Sequence, residues 1–212
     1  MYVHGIKRLF PFEKYSVRKI NVAEDVVQVK MRRDRRYNLW CPSCGCSMGK
    51  NDMNWQTAKD LPLGTAKTVV LTYEAIQGKC GQCGTFTTFH PEGIDPHAKA
   101  TWRHMVWTSQ LCRFMPLSRV EQFATVSTST AYRWDKKVLQ EELPEPDLDD
   151  LKVLMVDEKA IWKHYGFVTI VLNGETGELL HLAKGKKKEA LTSFFDKCDE
   201  QQKQSIRAVA MD

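Results

Sequence analysis

Two short repeats constrain this chain more than any other feature: Cys41-Pro-Ser-Cys44-Gly and Cys80-Gly-Gln-Cys83-Gly, with 35 residues between them. In such a C-x-x-C-G knuckle the two thiolates can reach one ion, and the following glycine relieves the tight turn. Two knuckles complete a tetrahedral all-sulfur site, for which structural Zn²⁺ is the expected occupant and iron the alternative. Two disulfides are the other pairing, rare in cytosolic proteins. A redox C-x-x-C comes singly and within a βαβ pattern. A closed four-cysteine site leaves no position for substrate, so its metal folds the segment and does not catalyse. Cys46, two residues after Cys44, is expected to be either a decoy or an occasional substitute ligand, whereas Cys112 and Cys198 sit in apolar helix patterns and are expected to pack as small hydrophobes. With four paired cysteines present, His4 and His90 are not expected to ligate.

The rest of the 212 residues divides by composition. Residues 1–140 carry 21 Lys/Arg against 11 Asp/Glu, an excess of +10. The stretch "EELPEPDLDD" (141–150) carries six acids and no base, and its two prolines mark a linker. Residues 151–212 are nearly neutral, at +1. A basic front is what a polyanionic partner requires, although a solvated basic surface gives the same count. No apolar run reaches the roughly 18 residues of a membrane span, and the N-terminus lacks a secretory pattern, so the expected location is cytoplasmic. The expected organisation is multidomain α+β. A four-cysteine, zinc-ribbon-like module over 1–92 would be irregular, with short strands at "DVVQVKMRR" and "AKTVVLTYEAI". A helical module over 93–140, the linker over 141–150 and a β-rich segment over 151–212 follow.

Within the helical module, "MPLSRVEQFATVSTSTAYRWDKKVLQ" has the form of a helix-turn-helix. Pro116 suits a first turn, Val120, Phe123 and Ala124 face inward, and the turn lies at Thr125–Thr128. A second helix from about Ser129 exposes Ser129, Thr130, Arg133, Lys136 and Lys137 while Ala131, Trp134 and Val138 pack. Short polar side chains first and basic ones later suit a DNA-reading helix. The usual turn glycine is replaced by Thr125, and a polar-faced helix pair in an ordinary bundle is the alternative. Arg32, Arg33, Arg35 and Arg36 form a cluster able to neutralise phosphates. Trp40 is expected in the core beside the metal. "KGKKKEA" is a second basic cluster.

The last segment reads strand, strand, strand, helix, strand. "LKVLMVD" and "GFVTIVLN" are strands, Asn173, Gly174 and Gly177 make a hairpin turn to "ELLHLA", and "KKEALTSFFDKCDEQQ" is one amphipathic helix with Ala190, Leu191, Phe194, Phe195 and Cys198 on its apolar face. "SIRAVAMD" is the final strand. A helix crossing to a fourth strand parallel to the first brings Asp157 and Asp212 together at strand tips, as in a ribonuclease H-like (RNase H-like) sheet. Close carboxylates at neutral pH call for a divalent cation such as Mg²⁺, the arrangement used in two-metal phosphodiester cleavage. Aspartates also end strands as caps or turn formers.

Taken together, the tandem knuckles, the helix-turn-helix, "VDEKAIWKHYGFVTIVLNGETGELLHLAKGKKKEALTSFF" and "AVAMD" resemble the ISL3 group of bacterial insertion-sequence transposases over essentially the whole chain. The resemblance implies an incomplete RNase H-like catalytic domain with Asp157 and Asp212 as metal-binding catalytic residues and a third, glutamate ligand further downstream. It also implies a chain cut short in that domain, unable by itself to cleave DNA under Mg²⁺, with an exposed sheet edge and an uncovered apolar face. Adjacent Glu158 points to the opposite face and is not that ligand. The implied activity is strand cleavage and joining at terminal inverted repeats, with double-stranded transposon ends as partner, a homo-oligomer on DNA, no membrane and no small-molecule substrate. The alternative is a zinc-dependent DNA-binding protein without catalysis that regulates or inhibits transposition.

Overall fold

The computed structural model describes residues 8–162 and 166–211, arranged as two compact units, Met1–Leu143 and Pro144–Asp212. The first unit is organised by a long hairpin. β4 (Ser47–Asp60) and β5 (Thr68–Cys80) pair antiparallel from Met48↔Cys80 to Asp60↔Val69. β2 (Val26–Arg33) lies parallel to β5 on its other side, and β1 (Tyr15–Ala23) is antiparallel to β2. β3 (Leu39–Trp40), β6 (Phe86–Phe89), β7 (Ile94–Asp95) and β8 (Ala100–Thr101) complete an eight-stranded sheet in the order β1-β2-β5-β4-β8-β7, with β3 on β4 and β6 on β5. The segment expected to be irregular with short strands therefore contains strands of 14 and 13 residues. The period-2 alternation explains them. Val27, Val29, Met31, Val69, Leu71 and Tyr73 bury one face, and their alternate neighbours stay on the other.

Three helices follow in the same unit: α1 (Trp102–Phe114), α2 (Leu117–Ala124) and α3 (Thr128–Glu142). Their core is Met105, Val120, Ala124, Ala131, Trp134 and Val138. The sheet is fastened to α1 by a buried carboxylate at the end of β4. Asp60, 2% exposed, accepts hydrogen bonds from Thr101 Oγ1 and Arg103 Nε, each at 2.7 Å, and pairs also with Arg103 Nη2. A buried charge is tolerable only with such complete pairing.

In the second unit β9 (Val153–Trp162), β10 (Gly166–Asn173) and β11 (Leu179–Lys184) run antiparallel, and β12 (Ala208–Met211) lies parallel to β9. The expected turn is present: Gly177 adopts φ 75° and donates its N–H to Asn173 O at 2.8 Å. The single expected helix is two, α4 (Lys188–Phe195) and α5 (Glu200–Ser205). The break lies at Asp199, whose side chain and that of Gln202 bond reciprocally to each other's backbone N–H and start a new helix. Leu154, Val156, Val171 and Leu180 bury one sheet face beneath Phe194 and Cys198. Met155 and Leu182, on the other face, are about half exposed, as are Val209 and Met211 on β12. Among the described residues no helix is long and apolar enough to cross a membrane.

Candidate functional site

The knuckles meet at one end of the β4–β5 hairpin. Cys41 follows β3 and Cys80 ends β5; Cys41 and Cys80 are buried among Leu39, Met48 and Ile76, while Cys44 and Cys83 are exposed. The two turns are built alike. Gly45 N–H donates to Cys41 O at 2.9 Å and Gly84 N–H to Cys80 O at 3.0 Å, with both glycines in the left-handed region at φ 71° and 73°. All four sulfurs lie within 4.8 Å of one another, with Cys41–Cys83 at 3.5 Å and Cys44–Cys80 at 3.6 Å. A zinc–sulfur distance of about 2.3 Å gives a tetrahedron edge of about 3.8 Å, so the donor set fits one ion. These close approaches run between knuckles, at ligand spacing and not at the roughly 2.05 Å of a disulfide. Hydrogen bonds from the Thr85 hydroxyl and backbone N–H lower the Cys83 pKa to about 6, whereas the neighbouring thiols of the cluster push that of Cys44 up. Cys46 is exposed and outside the cluster, and His90 instead contacts the Tyr73 hydroxyl. His4 lies outside the described residues.

α2 and α3 are joined by Thr125–Ser127, with α3 starting one residue before the expected position. Thr125 takes φ 53°, ψ 35°, the conformation a glycine would adopt without strain. Its carbonyl accepts from Lys59 Nζ at 2.5 Å. Ser127 caps α3 through Thr130 N–H, and its Oγ lies 3.1 Å from Ser129 Oγ and 2.9 Å from Thr130 Oγ1. Arg133 bonds to Thr130 Oγ1 and the Ser129 carbonyl. Ser129, Arg133 and Lys136 are exposed and Thr130 half-buried, while Ala131, Trp134 and Val138 pack as expected. Lys137 is occupied by Asp95 at 2.5 Å and Glu141 at 3.7 Å, so it is less available to phosphate than its sequence position implied. Phe123 corrects another expectation. It is 54% exposed, because Val120 and Ala124 already fill the contact with α3.

The arginine cluster is also smaller than its spacing indicated. Arg33 is 8% exposed, on the inner face of β2, with its guanidinium over Tyr15 and Phe89 and donating to Asn38 O. Strand alternation puts it there, and it cannot meet DNA without leaving the core. Arg32 pairs with Glu74 at 3.4 Å, Arg36 with Asp34 at 2.5 Å, and Arg35 is exposed. Trp40, expected in the core, is 56% exposed, because its β3 neighbour Leu39 takes the buried side.

In the second unit Asp157 is exposed and paired with Ile170. It is not at a strand tip: β9 continues to Trp162, since hydrogen bonding to β10 persists beyond it. Parallel pairing of β12 with β9 runs from Ala208↔Val153 to Met211↔Val156. Asp212 lies outside the described residues. The signal that sequence reasoning overlooked is in the first unit, where Trp55, Lys30 and Arg32 come together across three strands.

These features are a four-cysteine cluster able to hold a metal ion and a second unit of three antiparallel strands, two short helices and a parallel fourth strand, with an exposed aspartate on β9. The comparisons narrow their reading. Residues 154–212 match the DDE-type ISL3 transposase family. The chain is 24% identical over 205 residues to the transposase for insertion sequence element IS1001 of Bordetella parapertussis, covering 95% of this chain and 50% of that relative. The second unit is therefore similar to ISL3 transposases, and the chain spans about half the length of the curated relative it matches. No solved structure is significantly similar to it.

Proposed function

We propose that the chain is the DNA-end-binding and early catalytic part of an insertion-sequence transposase. The first unit reads double-stranded terminal repeats through α2 and α3 as a helix-turn-helix, with α3 presenting Ser129, Thr130, Arg133 and Lys136 to base edges and backbone. Zn²⁺ on Cys41, Cys44, Cys80 and Cys83 holds the knuckle end of the sheet in shape. The second unit begins an RNase H-like DDE domain in which Asp157 and Asp212 contribute to a Mg²⁺ site for strand cleavage and joining, on a homo-oligomer assembled at the DNA ends.

The observation that carries the catalytic assignment is the parallel register, which sets Met211 beside Val156. In the sequence, Val156 is followed by Asp157 and Met211 by Asp212. Mg²⁺ favours such hard oxygen donors, and would supply charge stabilisation at the transferred phosphate. Asp157, the member of the pair among the described residues, is exposed and can offer its carboxylate to an ion.

The test is binding of the purified chain to duplex DNA from the ends of its encoding element. Arg133→Ala should weaken binding by about 1–3 kcal/mol, with less effect on a scrambled duplex, whereas Asp157→Asn should leave it unchanged. Binding unaffected by Arg133→Ala at every salt concentration would remove α3 from the recognition role.

A further inference from the structure

We infer that the exposed face of the large sheet is a second DNA-contacting surface, one that grips the duplex backbone beside α3. This deepens the proposed end-binding reading and rests on it. Strand register assembles the surface in three transverse rows. Asn21, Gln28, Val70 and Lys59 form one; Lys19, Lys30, Thr72 and Thr57 the next; Ser16, Arg32, Glu74 and Trp55 the third. Lys19, Lys30, Arg32 and Lys59 bring four cations to this face, and its one acid, Glu74, is engaged by Arg32 and by the Arg33 backbone N–H. At about 4.8 Å between strands, the rows span roughly 14 Å, enough to lie along a phosphate backbone.

Trp55 organises the cations. Lys30 Nζ sits 4.3 Å from the centre of its ring and the Arg32 guanidinium 5.8 Å, so the indole holds both side chains. The ring is thereby a positioning group for phosphate-binding cations and not a base-stacking platform. At the other end of the face, Lys59 reaches the Thr125 carbonyl in the turn before α3. A groove lined by Thr57, Lys59, Val70, Ser127 and Thr130 joins the sheet face to the start of α3. A duplex read by α3 therefore has a positively charged surface continuing away from it. Double-stranded DNA is the partner this favours, since a cationic row meets a polyanion without needing its sequence.

The experiment is fluorescence-anisotropy titration of a random-sequence DNA duplex over a salt series, with the zinc-loaded chain. Lys19→Ala/Lys30→Ala is compared with the equal-charge control Lys152→Ala/Lys197→Ala in the second unit, and circular dichroism checks that each variant is folded. The sheet-face variant should bind about tenfold more weakly, and its slope of log affinity against log salt should fall by about two, while the control changes neither. Trp55→Ala should weaken binding less, and Trp55→Phe should restore it. If the sheet-face variant keeps the wild-type affinity and slope while Arg133→Ala weakens end binding, the inference is overturned and the proposed function stands. If the wild-type chain binds no duplex, both fall. Equal weakening by the second-unit control would overturn the inference too, because net charge and not this face would be responsible.

Discussion

The four-cysteine centre and the aspartate-bearing sheet make an instructive contrast. At the first, every donor lies among the described residues, on turns shaped alike and seated on a small apolar floor. At the second, Asp157 stands on an exposed sheet face beside half-exposed Met155, with its proposed partner one residue beyond β12. A site made from two local turns needs only one long hairpin to bring them together. A site made from residues on separate strands depends on a whole sheet and on what packs over it. The first should therefore stabilise its unit, and the second should be nearly neutral to stability.

The strongest way to break this contrast is to deny the four-cysteine centre any metal. Chelation, or Cys80→Ser, should destabilise the first unit by about 5 kcal/mol or more, because the binding energy of a structural metal is folding energy. Thermal melting with and without chelator, alongside metal content, checks this; an unchanged melt would mean that the hairpin holds without an ion. Asp157→Asn in the same assay should shift stability by less than about 0.5 kcal/mol, as expected for an exposed position. Next in size is the fastening of sheet to helices. Asp60→Ala should cost about 2–3 kcal/mol, since it strands Arg103 and the Thr101 hydroxyl, although Arg103 keeps some access to water.

A pH effect of intermediate size is expected in the first unit. His104 is 1% exposed, its Nε2 lies 3.2 Å from the Ala124 carbonyl, and burial pushes its pKa below the ordinary 6.5. Its proton is therefore bound more readily in the unfolded chain. The stability linked to His104 is full above the unfolded value near 6.5 and is lost as pH falls through that value toward the lower folded one. Urea denaturation of the wild type between neutral and mildly acidic pH should show the first unit weakening, and His104→Gln should flatten this dependence. One further effect is a gain. Thr125→Gly should stabilise the first unit by about 1 kcal/mol by removing a β-branched residue from φ 53°.

Local patterns in the sequence carried much of this structure. Cysteine spacing identified the four-thiol cluster, the 3.6-residue period identified the buried faces of α3 and α4, and Gly177 marked the β10–β11 turn. Where longer-range pairing decided the outcome, the reading was less complete. Arg33 looks like its neighbours in "MRRDRR", yet strand alternation buries it. Trp40 and Phe123 are apolar but exposed, because neighbouring residues occupy the core positions. Lys19, Lys30, Trp55 and Lys59 are too far apart in sequence to read as one surface until register joins them.

The most direct test of the account is a nuclease-protection footprint of the encoding element's termini, made with the zinc-loaded chain and again after chelation. Protection of both terminal repeats by the loaded chain, lost on chelation and weakened by Arg133→Ala, is the result we expect. No preference for the termini, or protection that survives complete metal removal, would contradict a DNA-end-binding unit built on the four-cysteine centre.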